Sequence, residues 1–441
     1  MSCRLQRALY QGVVCACYVR RVGALVLHGS TDYDVVIAGG GPGGAACAVA
    51  LVRAGVAPAR ILVVDKARFP REKPCGGGLT GHCADAMAAL GLEVSVPAIA
   101  SGSARVRFGE WSRTVTMQRP VVIVRREEFD ASLLAQAAAL GVEVVQGEGM
   151  KGYEVDAAAG RVSVRTGERT VTARVLVGAD GVASMVRKRL IPREGRPIRL
   201  FKLELPARGY GHGDAMLYDF SPMAYGLRGY LWVFPVADDR INVGLMHYPS
   251  RPLSGGELTG LLARGLGDLG INPRAAETAR GWPAWGYAPG AAVSAPHVLL
   301  LGDAAGIDAL TGEGIGVAME HGLVAAREVV AALGGTAGFG FGGYRRALRR
   351  AVVGRELALD RWLARLLYRP EAYRHFLGLM MFDPKVLELY AARVSGGLVL
   401  ADHKRSLMAA LARHVVRGPG RNRKVRALAA AIAARDPQPS A

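Results

Sequence analysis

Three glycines, Gly39, Gly41 and Gly44, stand in the G-x-G-x-x-G spacing within DYDVVIAGGGPGGAACAVALVRAG, and Asp65 closes the next apolar run, ARILVVDK. Glycines so placed let backbone come close to a pyrophosphate, the helix that follows favours its charge, and an acid roughly 20 residues on can accept from a ribose hydroxyl. The chemistry implied is dinucleotide binding. A second candidate is Cys75 in KARFPREKPCGGGLT, where Gly76, Gly77 and Gly78 allow a loop to approach a flat ligand and the thiol can act as an acid or a positioning group. A third lies in RGYLWVFPVADDRINVGL. Alternation puts Tyr230, Trp232 and Phe234 on one face of a strand, with Pro235 expected to stop it; three aromatics on one face build either a core or the wall of an apolar pocket.

These groups need elements to hold them. The first glycine run follows a buried strand (Val35 to Ala38) and opens an Ala-rich helix, the context that gives the glycine spacing its meaning. In TARVLVGADGVASMVRKRL a strand ends at Gly178, Asp180 and Gly181 and runs into a helix carrying Ser184 and Arg187. In PHVLLLGDAAGIDALTGEGIGVAMEHG another ends at Gly302 and Asp303, and Gly312 and Gly314 lead into a second helix that can face a phosphate or a ring edge. Gly338, Gly340 and Gly343 repeat the glycine spacing without a preceding strand, so GFGFGG reads as a connector.

Taken in this order, the segments resemble the flavoproteins built on the para-hydroxybenzoate hydroxylase plan. Within them, Pro70, Lys73, Pro74, Cys75, Gly76 and Gly77, with YLWVFP and Gly244, resemble the geranylgeranyl reductase branch. The resemblance implies FAD as cofactor, Asp303 at its ribityl chain and Arg126 near its pyrophosphate. It also implies saturation of isoprenoid double bonds in a prenyl lipid, a prenylated quinone or a related substrate, with Tyr230, Trp232 and Phe234 along the prenyl chain. Cys75 and Tyr230 are the proton-donor candidates. Ala309 and Leu310 occupy a loop where many members carry a proline. The alternative on the same fold is a FAD-dependent aromatic hydroxylase. Halogenases, with their W-x-W-x-I-P run, fit less well.

The expected architecture is mixed α/β (α+β). A Rossmann-like FAD-binding domain is assembled from residues 32–100, 119–192 and 293–345, and an antiparallel substrate-binding sheet from 101–118 and 193–292. Residues 1–31, without an acid before Asp32, form an N-terminal extension, and 346–441 a basic helical C-terminal region.

With 441 residues, 51% of them hydrophobic, the chain can bury more than one core. Its net charge is +19, and residues 341–441 carry 20 Lys and Arg against 7 Asp and Glu, a net +13. That tail suits an anionic membrane surface. In it, Leu357, Trp362, Leu363, Leu366 and Leu367 fall on one helical face. Nucleic acid is not expected as a partner, because neither zinc-finger spacing nor an RNA-binding aromatic signature is present.

The six cysteines (Cys3, Cys15, Cys17, Cys47, Cys75, Cys83) crowd into the first 83 residues, a poor disulfide framework, so reduced thiols and a cytoplasmic location, peripheral on a membrane, are expected. The longest early apolar run is split by Arg20 and Arg21 and does not read as a membrane span. No metal site is expected. No second fingerprint marks a nicotinamide site, so electrons are expected from NADPH docking transiently or from a ferredoxin-like carrier.

Overall fold

A computed structural model describes residues 31–191, 195–208, 210, 213–369 and 372–434. The N-terminal extension falls almost wholly outside them, with Cys3, Cys15 and Cys17.

Two eight-stranded sheets organise the chain. In the first, Tyr33–Ala38 pairs in parallel with Ile61–Asp65 on one side and Thr170–Gly178 on the other. Val298–Leu300 and Glu143–Gln146 extend the parallel core outward. The central strand is buried nearly throughout, as a parallel strand covered on both faces must be. The register sets Ala38 opposite Val64 and Gly178, and Leu300 opposite Gly178. The carboxyl ends of four strands therefore open on one edge, the edge where doubly wound sheets take their ligands. Helix Pro42–Arg53 begins there with proline in its first turn. It lies so close to helix Ile315–Leu333 that a Cβ on Gly322 would stand 2.8 Å from the Gly43 carbonyl oxygen.

The second sheet runs Arg280–Ala284, Ile198–Pro206, Arg240–His247, Gly229–Val236, Met216–Asp219, Ala98–Phe108, Trp111–Val124, Gly78–Leu79. Its first hairpin thus takes in more chain than the expected 101–118. The short strand Gly78–Leu79 places the Cys75 loop between the two sheets. Pro235 does not stop the aromatic strand: Gly229–Val236 runs through it and turns at Asp238 and Asp239, both at positive φ, into Arg240–His247. Pairing with Met216–Asp219 is recorded only over Leu231–Val233, so Pro235 lies where that neighbour has ended and a missing N–H is tolerated.

Alternation along Gly229–Val236 serves two cores. Leu231 and Val233 pack with Leu258, Leu262 and Leu266 of helix Gly255–Asp268. That helix starts at a full capping box, Ser254 with Glu257. Tyr230, Trp232 and Phe234 face the other way, toward the C-terminal helices. Those helices are Val352–Leu367, Tyr373–Phe382, Pro384–Val394, Lys404–Arg417 and Pro419–Ala434. The stripe read from the sequence holds at Leu357, Leu363 and Leu367, which are buried. Trp362 departs from it: the residue is 39% exposed, with the Lys404 ammonium 6.0 Å from its ring centroid. Among the described residues no helix is long and apolar enough to cross a membrane.

Candidate functional site

One cavity of about 750 Å³ joins the edge of the parallel sheet to the aromatic face of the second sheet. Gly39, Gly41, Asp65, Cys75, Gly76, Gly77, Arg126, Asp180, Gly181, Tyr230, Trp232, Phe234, Gly302, Asp303, Gly312 and Gly314 border it, whereas Gly44, Pro70, Gly178, Ser184, Arg187, Pro235 and Gly244 do not. Gly44 sits beneath the turn, where a Cβ would stand 1.9 Å from the Gly39 carbonyl oxygen. Pro235 follows Phe234 and by alternation belongs to the opposite face.

At the sheet edge the turn is fixed by Asp65, which accepts from the Gly40 and Ala67 amides, each at 2.8 Å. Gly39 has φ 113° and no room for a side chain, since a Cβ would meet the Ala179 carbonyl oxygen at 2.2 Å. Gly41 differs: the nearest atom to its Cβ position is a terminal nitrogen of Arg71 at 3.3 Å. A space bounded by backbone amides and a guanidinium suits a pyrophosphate. Arg71 and Arg126 are both held by the buried carboxylate of Asp130. Arg126 makes a two-pronged contact at 2.7 and 2.8 Å, and Arg71 lies at 3.0 Å. The Nη1 of Arg71 is buried without a protein partner, a donor aimed at nothing the chain supplies. Burial works against the Arg126 charge, but Asp130 outweighs it and the pKa is raised, with Cys75 adding to the same effect.

Asp180 receives the Met185 amide on Oδ2 at 2.7 Å, while its Oδ1 is buried with no partner. Desolvation raises its pKa above the ordinary carboxyl value. Ser184 caps the next helix through the Arg187 amide at 2.9 Å, and Arg187 reaches the Ala304 carbonyl at 2.7 Å, fastening the Asp180 segment to the Asp303 segment. Asp303 pairs with Lys73 at 3.0 Å, and the Lys73 ammonium stands 4.6 Å from the Trp282 ring centroid. Burial raises the Asp303 pKa, yet Lys73, Arg126 and Arg71 together lower it on balance.

The Cys75 loop forms the junction. The Gly77 amide donates to Cys75 Sγ at 3.4 Å, Gly77 has φ 78°, and a Cβ on Gly76 would come within 2.9 Å of Phe234 Cε2. A bridge not foreseen from the sequence spans the junction: Trp232 Nε1 donates to Asn242 Oδ1 at 3.0 Å, and Asn242 Nδ2 donates to the Cys75 carbonyl at 2.7 Å. Gly244 gives Trp232 its place, because a Cβ there would be 2.3 Å from the indole. The Tyr230 hydroxyl donates to the Thr311 carbonyl, so it fastens the Thr311–Gly314 turn and its proton is already engaged. Burial holds its pKa well above the usual phenol value. The far wall, also unforeseen, comes from the tail: Tyr368, Phe376, Met380, Leu387 and Tyr390 border the cavity.

No group of three His, Cys, Asp or Glu side chains among the described residues could hold a metal ion. The orphaned oxygen of Asp180, the orphaned nitrogen of Arg71 and the vacant shoulder of Gly41 fit a ligand with a ribose and phosphates. Comparison with known proteins agrees. Residues 32–198 match the FAD binding domain family, so fold and site define a FAD-dependent oxidoreductase. A menaquinone reductase of Mycobacterium tuberculosis is 31% identical over 319 residues, 66% of this chain and 75% of that protein. Digeranylgeranylglycerophospholipid reductase 1 of Methanopyrus kandleri is 27% identical, covering 68% of this chain and 81% of that one. A geranylgeranyl bacteriochlorophyll reductase-like structure from Thermoplasma acidophilum covers 91% of this chain and 100% of its own, with a TM-score of 0.67 at 20% identity, a likeness of fold. The chain belongs to the geranylgeranyl reductase family of FAD-dependent oxidoreductases.

Proposed function

We propose that this protein saturates isoprenoid double bonds in a prenyl lipid or the side chain of a prenylated quinone. The observation that carries the reading is the continuity of the cavity: charged, glycine-lined ground at the sheet edge passes without a partition into an aromatic and aliphatic chamber. Bound and reduced, FAD supplies a hydride there. Gly41, Arg71 and Arg126, the two arginines held by Asp130, would seat its pyrophosphate, Asp65 and Asp180 its hydroxyl groups, and Asp303 the chain leading to the ring. The Cys75 loop, drawn against Phe234 and tied to Asn242, would meet the ring, with the thiol close to the reacting carbons.

Tyr230, Trp232 and Phe234 on one side, and Phe376, Met380 and Leu387 on the other, would clasp the prenyl chain and exclude water, which an unactivated alkene and an oxygen-sensitive reductant both require. The electron donor fits NADPH or a ferredoxin-like carrier. An anionic membrane surface as partner is supported by the basic tail: Val415 and Val416 are exposed on helix Lys404–Arg417, Val416 at 75%, between Arg413 and Arg417.

The test is anaerobic. Purified protein reduced with dithionite is given geranylgeranyl lipids and a menaquinone, and products are weighed by mass spectrometry. A gain of two hydrogens on either substrate is expected. None on either, with an oxygenated aromatic product formed from NADPH in air, would replace this reading with the hydroxylase one.

A further inference from the structure

Hydride transfer to one carbon of an alkene leaves the other needing a proton, and no carbonyl is present to share the charge. The donor must border the cavity near the junction of the two sheets and hold its proton at neutral pH. Several ionisable groups around the cavity are otherwise engaged. Lys73 and Asp303 hold each other, Arg71 and Arg126 share Asp130, and Asp65 caps the glycine turn. Asp308 accepts from the Leu310 and Thr311 amides and the Thr311 hydroxyl. Tyr230 and Tyr368 donate to the Thr311 and Leu310 carbonyls.

Cys75 Sγ accepts from the Gly77 amide at 3.4 Å, and Glu313 is a further carboxyl at the junction, held by the hydroxyl of Thr80. Glu313 lies in the turn before helix Ile315–Leu333, between Gly312 at φ 76° and Gly314, and it borders the cavity. Three walls position it. Tyr230 of the aromatic strand holds the turn at Thr311. Met246, on the neighbouring strand Arg240–His247, brings its sulfur within 3.2 Å of the Cβ position of Gly312. Thr80, the residue just before helix Gly81–Leu90 and past the Cys75 loop, donates its hydroxyl to Glu313 Oε1 at 2.5 Å. The carboxyl therefore sits where the loop that would meet the flavin ring and the strand that would line the prenyl chain converge.

We infer that Glu313 is the proton donor of the saturation reaction, an inference that rests on the reductase reading above. One alkene carbon takes the hydride of the reduced flavin. The π electron pair forms the second C–H bond with the proton of Glu313, whose O–H bond breaks. The products are the saturated chain, oxidised flavin and the Glu313 carboxylate, which solvent reprotonates; a nicotinamide returns a hydride to the flavin, or an iron–sulfur carrier returns two electrons with a proton taken from solvent. The charged and titratable groups around Glu313 favour the protonated carboxyl. Burial raises its pKa and Asp308 of its own loop adds to that. Arg393 of helix Pro384–Val394 and the Thr80 hydroxyl oppose them, and the net direction is upward. Arg393 is itself tied at 2.6 Å to both Glu356 and Asp360 of helix Val352–Leu367, which blunts its effect. Cys83 of helix Gly81–Leu90 and Tyr218 of strand Met216–Asp219, the other titratable neighbours, are held neutral by burial.

Two measurements test this. Infrared difference spectra of the FAD-loaded protein taken across pH are expected to show the carbonyl stretch of a protonated carboxyl persisting at neutral pH. Glu313→Gln should abolish that band, Asp308→Asn should retain it, and Thr80→Val should shift it. In an anaerobic single turnover with dithionite-reduced protein and a geranylgeranyl lipid, Glu313→Gln is expected to slow saturation by about 10²–10⁴-fold with flavin content unchanged. Absence of the band from wild type at neutral pH overturns the inference, and that spectrum needs no variant to fold. Saturation by Glu313→Gln at the wild-type rate overturns it as well while leaving the reductase reading intact. A wild-type protein that carries the band but saturates nothing instead removes the reductase reading on which the inference rests.

Discussion

The side-chain amide of Asn242 donates to the backbone carbonyl of Cys75 at 2.7 Å while its oxygen accepts from the Trp232 indole at 3.0 Å. One residue thus locks the aromatic strand to the glycine loop. Asn242→Leu removes a donor and an acceptor together and leaves the indole N–H and the Cys75 carbonyl without these partners. Each unsatisfied buried group costs about 1–3 kcal/mol. The expected outcome is a lower urea midpoint and weaker FAD binding, read by flavin fluorescence on titrating the flavin-free protein.

Two glycines of the same fingerprint are expected to fail differently. Gly44→Val forces a side chain into the Gly39 carbonyl, 1.9 Å from the Cβ position, so the protein should lose stability even without flavin. Gly41→Val meets only the movable end of Arg71 and fills the space proposed for the pyrophosphate. It should fold, melt near the wild-type temperature in the flavin-free state, and purify without flavin. Wild-type flavin content in Gly41→Val would remove that glycine from the cofactor site.

Trp232→Ala should discriminate between cofactor and chain. The indole lies 6.3 and 6.5 Å, centroid to centroid, from Tyr230 and Phe234 in a continuous aromatic wall. Loss of such a side chain removes roughly 3–5 kcal/mol of packing when nothing refills the space. The KM for geranylgeranyl substrates should rise more than the FAD dissociation constant. Parallel rises would make Trp232 ordinary core.

The nucleotide half of the site was legible in the sequence because its signals are local: a strand, a glycine turn and an acid lie within one supersecondary unit. The alternation of Tyr230, Trp232 and Phe234 was equally local. Arg71, Asp130, Asn242 and Glu313 were not, although Arg71, Asn242 and Glu313 lie inside the very stretches that drew attention. Their significance comes from a partner far along the chain: Asn242 from Cys75, Glu313 from Thr80, and Arg71 from a carboxylate on another element. Pro235 misled because the rule against proline in strands assumes a neighbour on both sides, and Met216–Asp219 pairs with the aromatic strand only over Leu231–Val233. The tail's charge drew attention to its surface, whereas Tyr368, Phe376 and Tyr390 turn inward as cavity wall.

The Lys73–Asp303 pair gives a pH-dependent expectation. Burial alone would raise the Asp303 pKa, but Lys73 foremost, with Arg126 and Arg71, holds it below the usual carboxyl value. A carboxyl with a depressed folded-state pKa contributes stability above its unfolded value, about 3.9, and loses that contribution as pH falls through the folded value. Lys73→Met should therefore be less stable than wild type at pH 7, and the gap should close as pH falls below about 4. Urea unfolding of the flavin-free proteins at a series of pH values measures it. A gap that stays constant down to the acid limit would show that Lys73 acts through packing on Trp282 and not through charge.

Arg393 links the stability of the tail to the site. Its guanidinium, on helix Pro384–Val394, lies 2.6 Å from both Glu356 and Asp360 of helix Val352–Leu367, and all three side chains are at least 96% buried. Arg393→Met strands two carboxylates in an apolar interior, a loss of about 3–5 kcal/mol when one side of a buried ion network is removed. Replacing the group as a whole, Arg393→Met with Asp360→Leu and Glu356→Gln, should recover most of that loss, because the glutamine keeps an oxygen for the Ala401 amide that Glu356 binds at 2.8 Å. Helix Pro384–Val394 also carries Leu387 and Tyr390 into the cavity wall, so loosening it should admit water and oxygen. Stopped-flow reoxidation of the reduced flavin is therefore expected to be faster in Arg393→Met than in wild type and to return toward wild type in the triple variant. Unchanged reoxidation in a destabilised single variant would separate the wall from the ion network.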